Sequence, residues 1–198
     1  NRKIAAAKNR IRYAFKHSSS AAKLRDKYQL AEVLKGVKLK KIESLSVPLD
    51  KVLSVEEIQK LINETKDITI KLMVMFLIST GVQISEMLAI RLTDLHSADN
   101  VFYEILIIGK NGRERIIHAK KKFVDRIHEH FKGITFLFEH DGRPYNRIAT
   151  TNRIKYESLI IIGRSVSAIQ LRHTWALIQI QHGKPIRAVA AVLGHSDP

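Results

Sequence analysis

The spacing of apolar residues predicts a mainly helical chain. Ser54-Val55-Glu56-Glu57 has the residue types of a capping box, so a helix is expected to begin there and to run to about Glu64. Thr69–Ser79 is apolar almost all round, which is typical of a helix at the centre of a core. The apolar positions of the first helix recur every three or four residues and are predicted to face inward: Val55, Ile58, Leu61 and Ile62.

One segment has the pattern of strands. Val101–Ile108 alternates and is rich in β-branched residues, and Gly109-Lys110-Asn111-Gly112 then turns the chain into Arg115–His118. This combination is a β-hairpin signal. The predicted fold class is therefore mainly α with a small antiparallel β-sheet. Further helices are predicted at Ser85–Ile90, Lys120–Lys132 and Asn146–Ile162.

The last part of the chain combines two predicted helices with two candidate anion ligands. Ser167 is a suitable N-cap for a helix that ends at Gly183, and Pro185 begins a second, shorter helix. Arg172 lies near the start of the first helix and His195 follows the second, so we expect the two side chains to converge on one anion. The alternative is a solvated helix arginine and an ordinary loop histidine, since helical arginines usually face water.

Charge adds a second line of inference. The chain has a formal net charge of +15, which points to a polyanionic partner. Residues 1–41 hold 13 Lys and Arg residues against Asp26 and Glu32, a net +11, so the other 157 residues carry only +4. The chain has no cysteine, which excludes disulfides and thiolate zinc sites, and its nine histidines show no HExxH-type pairing, so no metal is expected.

The basic N-terminal segment is predicted to belong to a separate domain. Residues 1–36 have the pattern of two short basic helices, which cannot bury a core of their own, and residues 37–48 are interpreted as a basic linker to a domain at residues 49–198. No apolar run reaches the length of a membrane span and no signal peptide opens the chain, so a soluble cytoplasmic protein without a membrane partner is expected. Contacts to a nucleic-acid backbone are predicted for Arg2, Lys3, Lys8, Arg10, Arg12, Lys38, Lys40 and Lys41.

Four motifs fall in the order found in one known family. They are TGVQISEML at Thr80–Leu88, GKNGRER at Gly109–Arg115, LRHT at Leu171–Thr174 and LGHS at Leu193–Ser196. In this order they resemble the tyrosine recombinases, the phage integrase family. Residues 1–14 are similar to the last helices of the N-terminal core-binding domain of that family. The resemblance therefore implies the end of a core-binding domain at residues 1–36 and a tyrosine-recombinase catalytic domain at residues 49–198.

The resemblance implies site-specific recombination of double-stranded DNA. In this family a tyrosine attacks a DNA phosphodiester and forms a 3′-phosphotyrosyl link, without a metal or nucleotide cofactor. Two arginines clamp the phosphate, because a planar guanidinium matches its oxygens and keeps its charge. By position, Arg172 is the second of these arginines, Lys110 is the hairpin lysine that protonates the departing 5′ oxygen, and His195 is the later histidine that assists proton transfer. A homo-tetramer on DNA, a monomer in solution and association with the nucleoid are implied as well.

The sequence also departs from the family pattern. Gln83 stands where the first clamp arginine is expected, and Ile169 stands where a histidine is expected three residues before Arg172. The 198 residues end before the helix that would carry the nucleophile, and Tyr145 and Tyr156 precede Arg172 instead of following it. We therefore expect this polypeptide not to cleave DNA.

Three interpretations remain open from the sequence. The first is a recombinase in which Gln83 and Ile169 are natural variation or engineered disabling changes. The second is a degenerate recombinase homologue that acts as a DNA-binding or regulatory protein. The third is an unrelated basic helical domain that binds RNA. A tyrosine in an apolar helical segment after residue 198 would favour the first over the second.

Overall fold

The computed structural model describes residues 52–109 and 112–194. Several predictions concern residues outside these ranges. They are the domain at residues 1–36, the linker at residues 37–48 and the DNA contacts of the basic residues from Arg2 to Lys41. Lys110 and His195 also lie outside the described residues. The elements of the described part, in chain order, are α1 (Val55–Glu64), α2 (Ile68–Thr80), α3 (Ile84–Ala89), a 3₁₀ turn (Leu92–Asp94), β1 (Leu95–Ser97), β2 (Phe102–Ile108), β3 (Glu114–Lys120), α4 (Lys121–Phe131), β4 (Glu139–His140), β5 (Arg143–Pro144), α5 (Arg147–Ile162), α6 (Ala168–Gln181) and α7 (Ile186–Leu193).

The described part of the chain is mainly helical, as predicted, and its strands form two small antiparallel sheets. β2 pairs with β3 along its whole length, with Leu106 opposite Ile116, which confirms the predicted hairpin. β1 pairs with the other edge of β2, so the sheet order is β1-β2-β3. The sequence pattern does not predict β1, because three residues are too few to show an alternation. β4 and β5, which have two residues each, pair as a second antiparallel sheet.

Helix α2 lies at the centre of the core, as its all-round apolar sequence predicts. Met73, Phe76 and Leu77 are fully buried. The helix begins after Asp67, whose carboxylate accepts hydrogen bonds from the N–H groups of residues 69 and 70. It ends at Gly81, which adopts the left-handed conformation common at helix C-termini, with a φ of 71°. The core thereby fixes the direction of the Gly81 carbonyl.

Helix α1 confirms the predicted capping box but corrects one predicted core residue. The Ser54 hydroxyl accepts a hydrogen bond from the Glu57 N–H at 3.1 Å, and the Glu57 carboxylate accepts one from the Ser54 N–H at 2.8 Å. Leu61 is buried, as predicted. Val55 is 60% exposed, so its predicted inward orientation is wrong. Val55 is the first residue of α1, and its side chain is exposed although Leu53, just before the helix, is buried in the core.

The last three helices begin and end close to the predicted residues. The Asn146 side chain accepts hydrogen bonds from the first N–H groups of α5, and Ser167 and Gln170 form a capping box at the start of α6. α7 begins after Pro185 and ends at Gly194. None of the helices in the described ranges is long and apolar enough to cross a membrane.

Helices α6 and α7 meet the C-terminal end of α2. The indole N–H of Trp175, on α6, donates a hydrogen bond to the Ser79 carbonyl at 3.0 Å. Trp175 also packs with Val189 and Leu193 of α7 in a small apolar cluster. The ends of α2 and α7 and the first half of α6 therefore lie together, and the candidate site is built from them.

Candidate functional site

Arg172 is buried, with only 7% of its surface exposed. Its Nη1 donates a hydrogen bond to the Gly81 carbonyl at 2.9 Å, and its Nη2 donates one to the Leu193 carbonyl. One guanidinium therefore joins the ends of α2 and α7. The alternative of a solvated helix arginine is wrong. A guanidinium has five N–H donors, and these two bonds leave donors for an anion such as a phosphate.

Close packing against Trp175 fixes the backbone that receives this hydrogen bond. A Cβ on Gly81 would lie 2.5 Å from two carbon atoms of the Trp175 ring, far inside van der Waals contact. The positive φ of Gly81 disfavours any other residue as well. Only glycine therefore lets α2 approach α6 closely enough for the Gly81 carbonyl to reach Arg172.

A carboxylate and a second arginine lie beside Arg172. Glu86 Oε1 and Oε2 accept hydrogen bonds from Arg115 Nη1 and Nη2 at 2.8 and 2.7 Å, a bidentate contact that we name the Glu86–Arg115 pair. Glu86 Oε2 also accepts a hydrogen bond from the Gln83 backbone N–H at 2.7 Å. The same oxygen lies 3.8 Å from Arg172 Nη1, which is too far for a hydrogen bond.

The charged side chains of Glu86, Arg115 and Arg172 influence one another's ionisation. Burial raises the pKa of Glu86, but the hydrogen bonds from Arg115 and from the Gln83 N–H outweigh that effect, so the pKa of Glu86 lies below its ordinary value. Burial lowers the pKa of Arg172, and the Glu86 carboxylate opposes that effect. An arginine keeps its charge at neutral pH. Two arginines and one carboxylate leave a net charge of one positive unit, which favours a bound anion.

Two glycines bring the hairpin and the end of α7 to the Glu86–Arg115 pair. Arg115 Nε donates a hydrogen bond to the Val192 carbonyl at 2.6 Å. A Cβ on Gly194 would lie 3.3 Å from Arg115 Nη1, and a Cβ on Gly109 would lie 3.5 Å from Glu86 Oε1. Lys110 follows Gly109 in the sequence, and His195 follows Gly194. Segments of all four sequence motifs therefore meet at one pair of side chains.

Sequence reasoning assigned no role to Glu86 or Arg115, although both lie inside the motifs that carry the resemblance. A signal for Glu86 was present: it occupies the buried face of α3 next to the apolar residues Met87 and Leu88. A carboxylate on such a face requires a buried cationic partner. The identity of that partner was not predictable, because Arg115 is 29 residues further along the chain.

The two residues that depart from the family pattern lie at helix starts. Gln83 precedes α3 as its N-cap and is exposed, and it reaches the Glu86–Arg115 pair through its backbone N–H. Ile169 is the second residue of α6, one helical turn before Arg172, and it is 63% exposed. These two positions therefore present a neutral amide and an apolar side chain to solvent, where the resemblance leads one to expect an arginine and a histidine.

The two tyrosines before α6 have different surroundings. The Tyr145 ring packs edge-on against Phe131, with 5.6 Å between ring centroids, and burial raises the pKa of the Tyr145 hydroxyl. Tyr156 is an exposed residue of α5. Within residues 52–109 and 112–194, no group of three or more His, Asp or Glu side chains has a geometry that could hold a metal ion.

The order of the elements and the meeting of the four motifs fit the fold of the tyrosine-recombinase class. The sequence profile of the Phage integrase family matches residues 51–198, and the chain belongs to this family.

Known proteins support this assignment. The tyrosine recombinase XerD of Halalkalibacterium halodurans is 26% identical over 171 residues, which is 75% of this chain and 54% of XerD. The chain thus spans about half the length of this relative. The XerH site-specific recombinase bound to its difH substrate, in a pre-cleavage complex, superposes with a TM-score of 0.64 at 21% identity over 74% of this chain and 47% of that chain. A lambda integrase tetramer bound to a Holliday junction gives a TM-score of 0.58 at 15% identity, over 96% of this chain and 63% of that chain.

Proposed function

We propose that this chain carries the phosphate-binding part of a site-specific DNA recombinase that cleaves and rejoins DNA through a phosphotyrosyl intermediate. One observation carries the proposal: the buried Arg172 guanidinium has free N–H donors and lies where segments of all four family motifs meet. A DNA phosphodiester gains charge as a nucleophile attacks it, and a fixed guanidinium stabilises that charge.

The proposal assigns a role to each candidate residue. Arg172 binds the phosphate, Lys110 protonates the departing 5′ oxygen and His195 assists proton transfer. Support for the last two roles comes from Gly109 and Gly194, which precede them in the sequence and contact the Glu86–Arg115 pair. The nucleophile in this proposal is a tyrosine that follows Arg172 and His195 in the sequence. No tyrosine lies between Arg172 and Pro198.

Double-stranded DNA is the proposed partner, and the basic residues between Arg2 and Lys41 are proposed to contact its backbone. With six or more phosphate contacts, the slope of log affinity against log salt should be roughly −5 or steeper. Replacing Lys38, Lys40 and Lys41 together by glutamine should make the slope shallower by about 3 units. The matched control replaces Lys120, Lys121 and Lys122, at the junction of β3 and α4, and should leave the slope nearly unchanged. A slope near zero for the unaltered chain would reject DNA as the partner.

Assembly on DNA is part of the proposal. The lambda integrase structure that resembles this chain is a tetramer on a Holliday junction, and we propose that this protein also forms a tetramer on DNA and associates with the nucleoid. Sedimentation of the protein with a DNA duplex tests this: a tetramer-to-duplex stoichiometry supports it, and a monomer at all concentrations contradicts it.

A second candidate function is favoured by the residues at the two departing positions. The neutral Gln83 and the exposed, apolar Ile169 lack the charge and the donor that the reaction uses. These residues suit a degenerate recombinase homologue that acts as a DNA-binding or regulatory protein and does not cleave DNA.

Restoring the family residues separates the two candidates. In the protein expressed from its complete native reading frame, Gln83→Arg should raise the rate of covalent protein–DNA complex formation by about 10²–10³, and Ile169→His in addition should raise it further. Arg172→Ala in the restored protein is the control and should abolish the complex. If the doubly restored protein binds DNA but forms no covalent complex, the degenerate homologue is the correct interpretation. Efficient cleavage with Gln83 unchanged would show that an arginine at this position is unnecessary here.

A further inference from the structure

We propose that Arg115 is a positioning residue that holds the Glu86 carboxylate away from Arg172, so that the charge of Arg172 stays available to a phosphate. This inference rests on the proposed function, because it assumes that Arg172 binds a phosphate. Arg115 itself does not touch the phosphate in this scheme.

The distances around Glu86 support this role. Glu86 Oε2 lies 2.7 Å from Arg115 Nη2 but 3.8 Å from Arg172 Nη1. Both carboxylate oxygens accept hydrogen bonds from Arg115, and Oε2 accepts a second hydrogen bond from the Gln83 N–H. A carboxylate free of Arg115 would have to move only about 1 Å to turn its 3.8 Å ion pair with Arg172 into a direct hydrogen-bonded one. Such a pair would compete with a phosphate for the same guanidinium.

Arg115 also holds one of the backbone acceptors of Arg172. Its Nε donates a hydrogen bond to the Val192 carbonyl, and the next carbonyl along the chain, that of Leu193, accepts from Arg172. α7 has only eight residues and packs through a small apolar cluster. The contact from Arg115 therefore helps to fix the end of α7 against which Arg172 is oriented.

The surroundings of Arg115 restrict its guanidinium to one place. Its side chain is 11% exposed, and Gly194 and Gly109 both lie against it. A Cβ at Gly194 would approach Arg115 Nη1 to 3.3 Å, which is tighter than most Cβ contacts. The lack of side chains at these two positions leaves room for the guanidinium and for its bidentate contact with Glu86.

The test measures binding of inorganic phosphate to the whole chain at the Arg172 side chain. The probe is the Nε–Hε NMR signal of Arg172, identified as the signal that disappears in Arg172→Lys. In Arg115→Gln, which removes the charge and leaves a shorter side chain that still carries an amide group, the phosphate Kd at this signal should rise about tenfold. Adding Glu86→Gln should recover most of the tenfold loss, because the competing charge is gone, and the lost contact to the Val192 carbonyl accounts for the remainder.

Two further variants separate positioning from loss of charge or of folding. Arg113→Gln removes the same charge from an exposed residue of the same hairpin, and it should leave the Kd unchanged. Arg115→Lys keeps the charge but can make fewer contacts to Glu86, and it should have an intermediate Kd. Urea unfolding of each variant verifies that it is folded under the conditions of the titration.

The outcomes distinguish this inference from the proposed function. If Arg115→Gln leaves the Kd unchanged, or if adding Glu86→Gln does not restore it, Arg115 does not act by diverting the carboxylate. If phosphate does not shift the Arg172 signal in the unaltered chain, the proposed phosphate site is wrong, whatever Arg115 does. Recovery in the double variant, together with a normal Arg113→Gln, supports positioning by Arg115.

Discussion

Two bidentate arginine–carboxylate pairs in this molecule have nearly the same hydrogen-bond lengths and different surroundings. In the Glu86–Arg115 pair the two hydrogen bonds measure 2.8 and 2.7 Å, and in the pair of Glu57 and Arg164 they measure 2.7 and 2.8 Å. Each arginine also donates a hydrogen bond to a backbone carbonyl, Val192 in one case and Val52 in the other. The side chains of the first pair are 11% and 6% exposed, whereas those of Arg164 and Glu57 are 30% and 28% exposed.

This difference in burial decides what each pair contributes. Removing one partner of a buried pair leaves an uncompensated charge in a medium of low polarity, which is costly. Water replaces a lost partner at the outer pair, so that pair contributes little free energy. Its effect is local: Arg164 holds the Val52 carbonyl, and the hydrogen bond from the Leu53 N–H to Thr174 Oγ1 ties the next residue to α6. Bidentate geometry alone is therefore a poor guide to energetic importance.

The largest effect is expected from removing the charge of Glu86. Glu86→Gln leaves Arg115 and Arg172 buried without a carboxylate and should lower the free energy of unfolding by about 3–5 kcal/mol. Urea unfolding at neutral pH measures this loss. Glu129→Gln, at an exposed position of α4, is the control and should change the value by less than about 0.5 kcal/mol. A loss below about 1 kcal/mol for Glu86→Gln would make the two pairs energetically equivalent.

A somewhat smaller effect is expected at Gly81, which supplies a carbonyl to the buried cluster. Gly81→Ala should cost about 2–4 kcal/mol, because the added methyl group meets the Trp175 ring and the positive φ is unfavourable for alanine. Gly163 is the matched control: it also ends a helix in the left-handed conformation, but nothing lies within 4 Å of a Cβ built there. Gly163→Ala should cost only about 1 kcal/mol. Equal losses at the two glycines would show that the contact with Trp175 contributes nothing.

Glu57→Gln should reduce stability by about 1 kcal/mol or less, since the pair with Arg164 is partly exposed. Comparison of unfolding in low and high salt sharpens this expectation, because salt screens exposed charges more than buried ones. The free-energy difference between Glu57→Gln and the unaltered chain should shrink at high salt, while the difference for Glu86→Gln should persist. If high salt reduced the loss in Glu86→Gln and left the loss in Glu57→Gln unchanged, the Glu57–Arg164 pair would be the one shielded from solvent ions.

The smallest expected effect is the contribution of Glu57 to the loss of stability in acid. Hydrogen bonds from Arg164 lower the pKa of Glu57 from its ordinary value of 4.5. A carboxylate whose pKa is lowered on folding contributes stability above pH 4.5 and loses that contribution as the pH falls through the folded-state pKa. Unfolding measured at neutral pH and at a pH below 4.5 should therefore show a slightly smaller acid loss in Glu57→Gln than in the unaltered chain. The difference should be below about 1 kcal/mol. If the variant lost more stability in acid than the unaltered chain, folding would not lower the pKa of Glu57.

The parts of the fold that were predictable from sequence are the local ones. Caps such as Ser54, Asn146 and Ser167 act on residues within the next turn, so a short window contains all the information that sets them. The all-round apolar composition of α2 likewise requires no knowledge of its neighbours. Val55 was assigned to the core incorrectly, because a helical period identifies a face of the helix and does not show that every residue on that face is buried.

The candidate site was predictable only in part. Arg172 was recognised from its motif, but its burial and its two carbonyl partners depend on how α2 and α7 pack. The Glu86–Arg115 pair joins a helix to a strand, which no local pattern encodes. The roles of Lys110, His195 and the basic residues between Arg2 and Lys41 remain predictions, as does the division into domains at residues 1–36, 37–48 and 49–198.

The contacts of Arg172 have a consequence for the order in which the protein assembles. Arg172 binds a carbonyl 91 residues earlier in the chain and another 21 residues later, and Arg115 reaches 77 residues ahead to Val192. Contacts this distant in sequence form late, because the intervening chain must be ordered first. During synthesis, a nascent chain that has not yet released α7 lacks one partner of each arginine. We therefore expect a growing chain to acquire the proposed phosphate site only after Leu193 has left the ribosome.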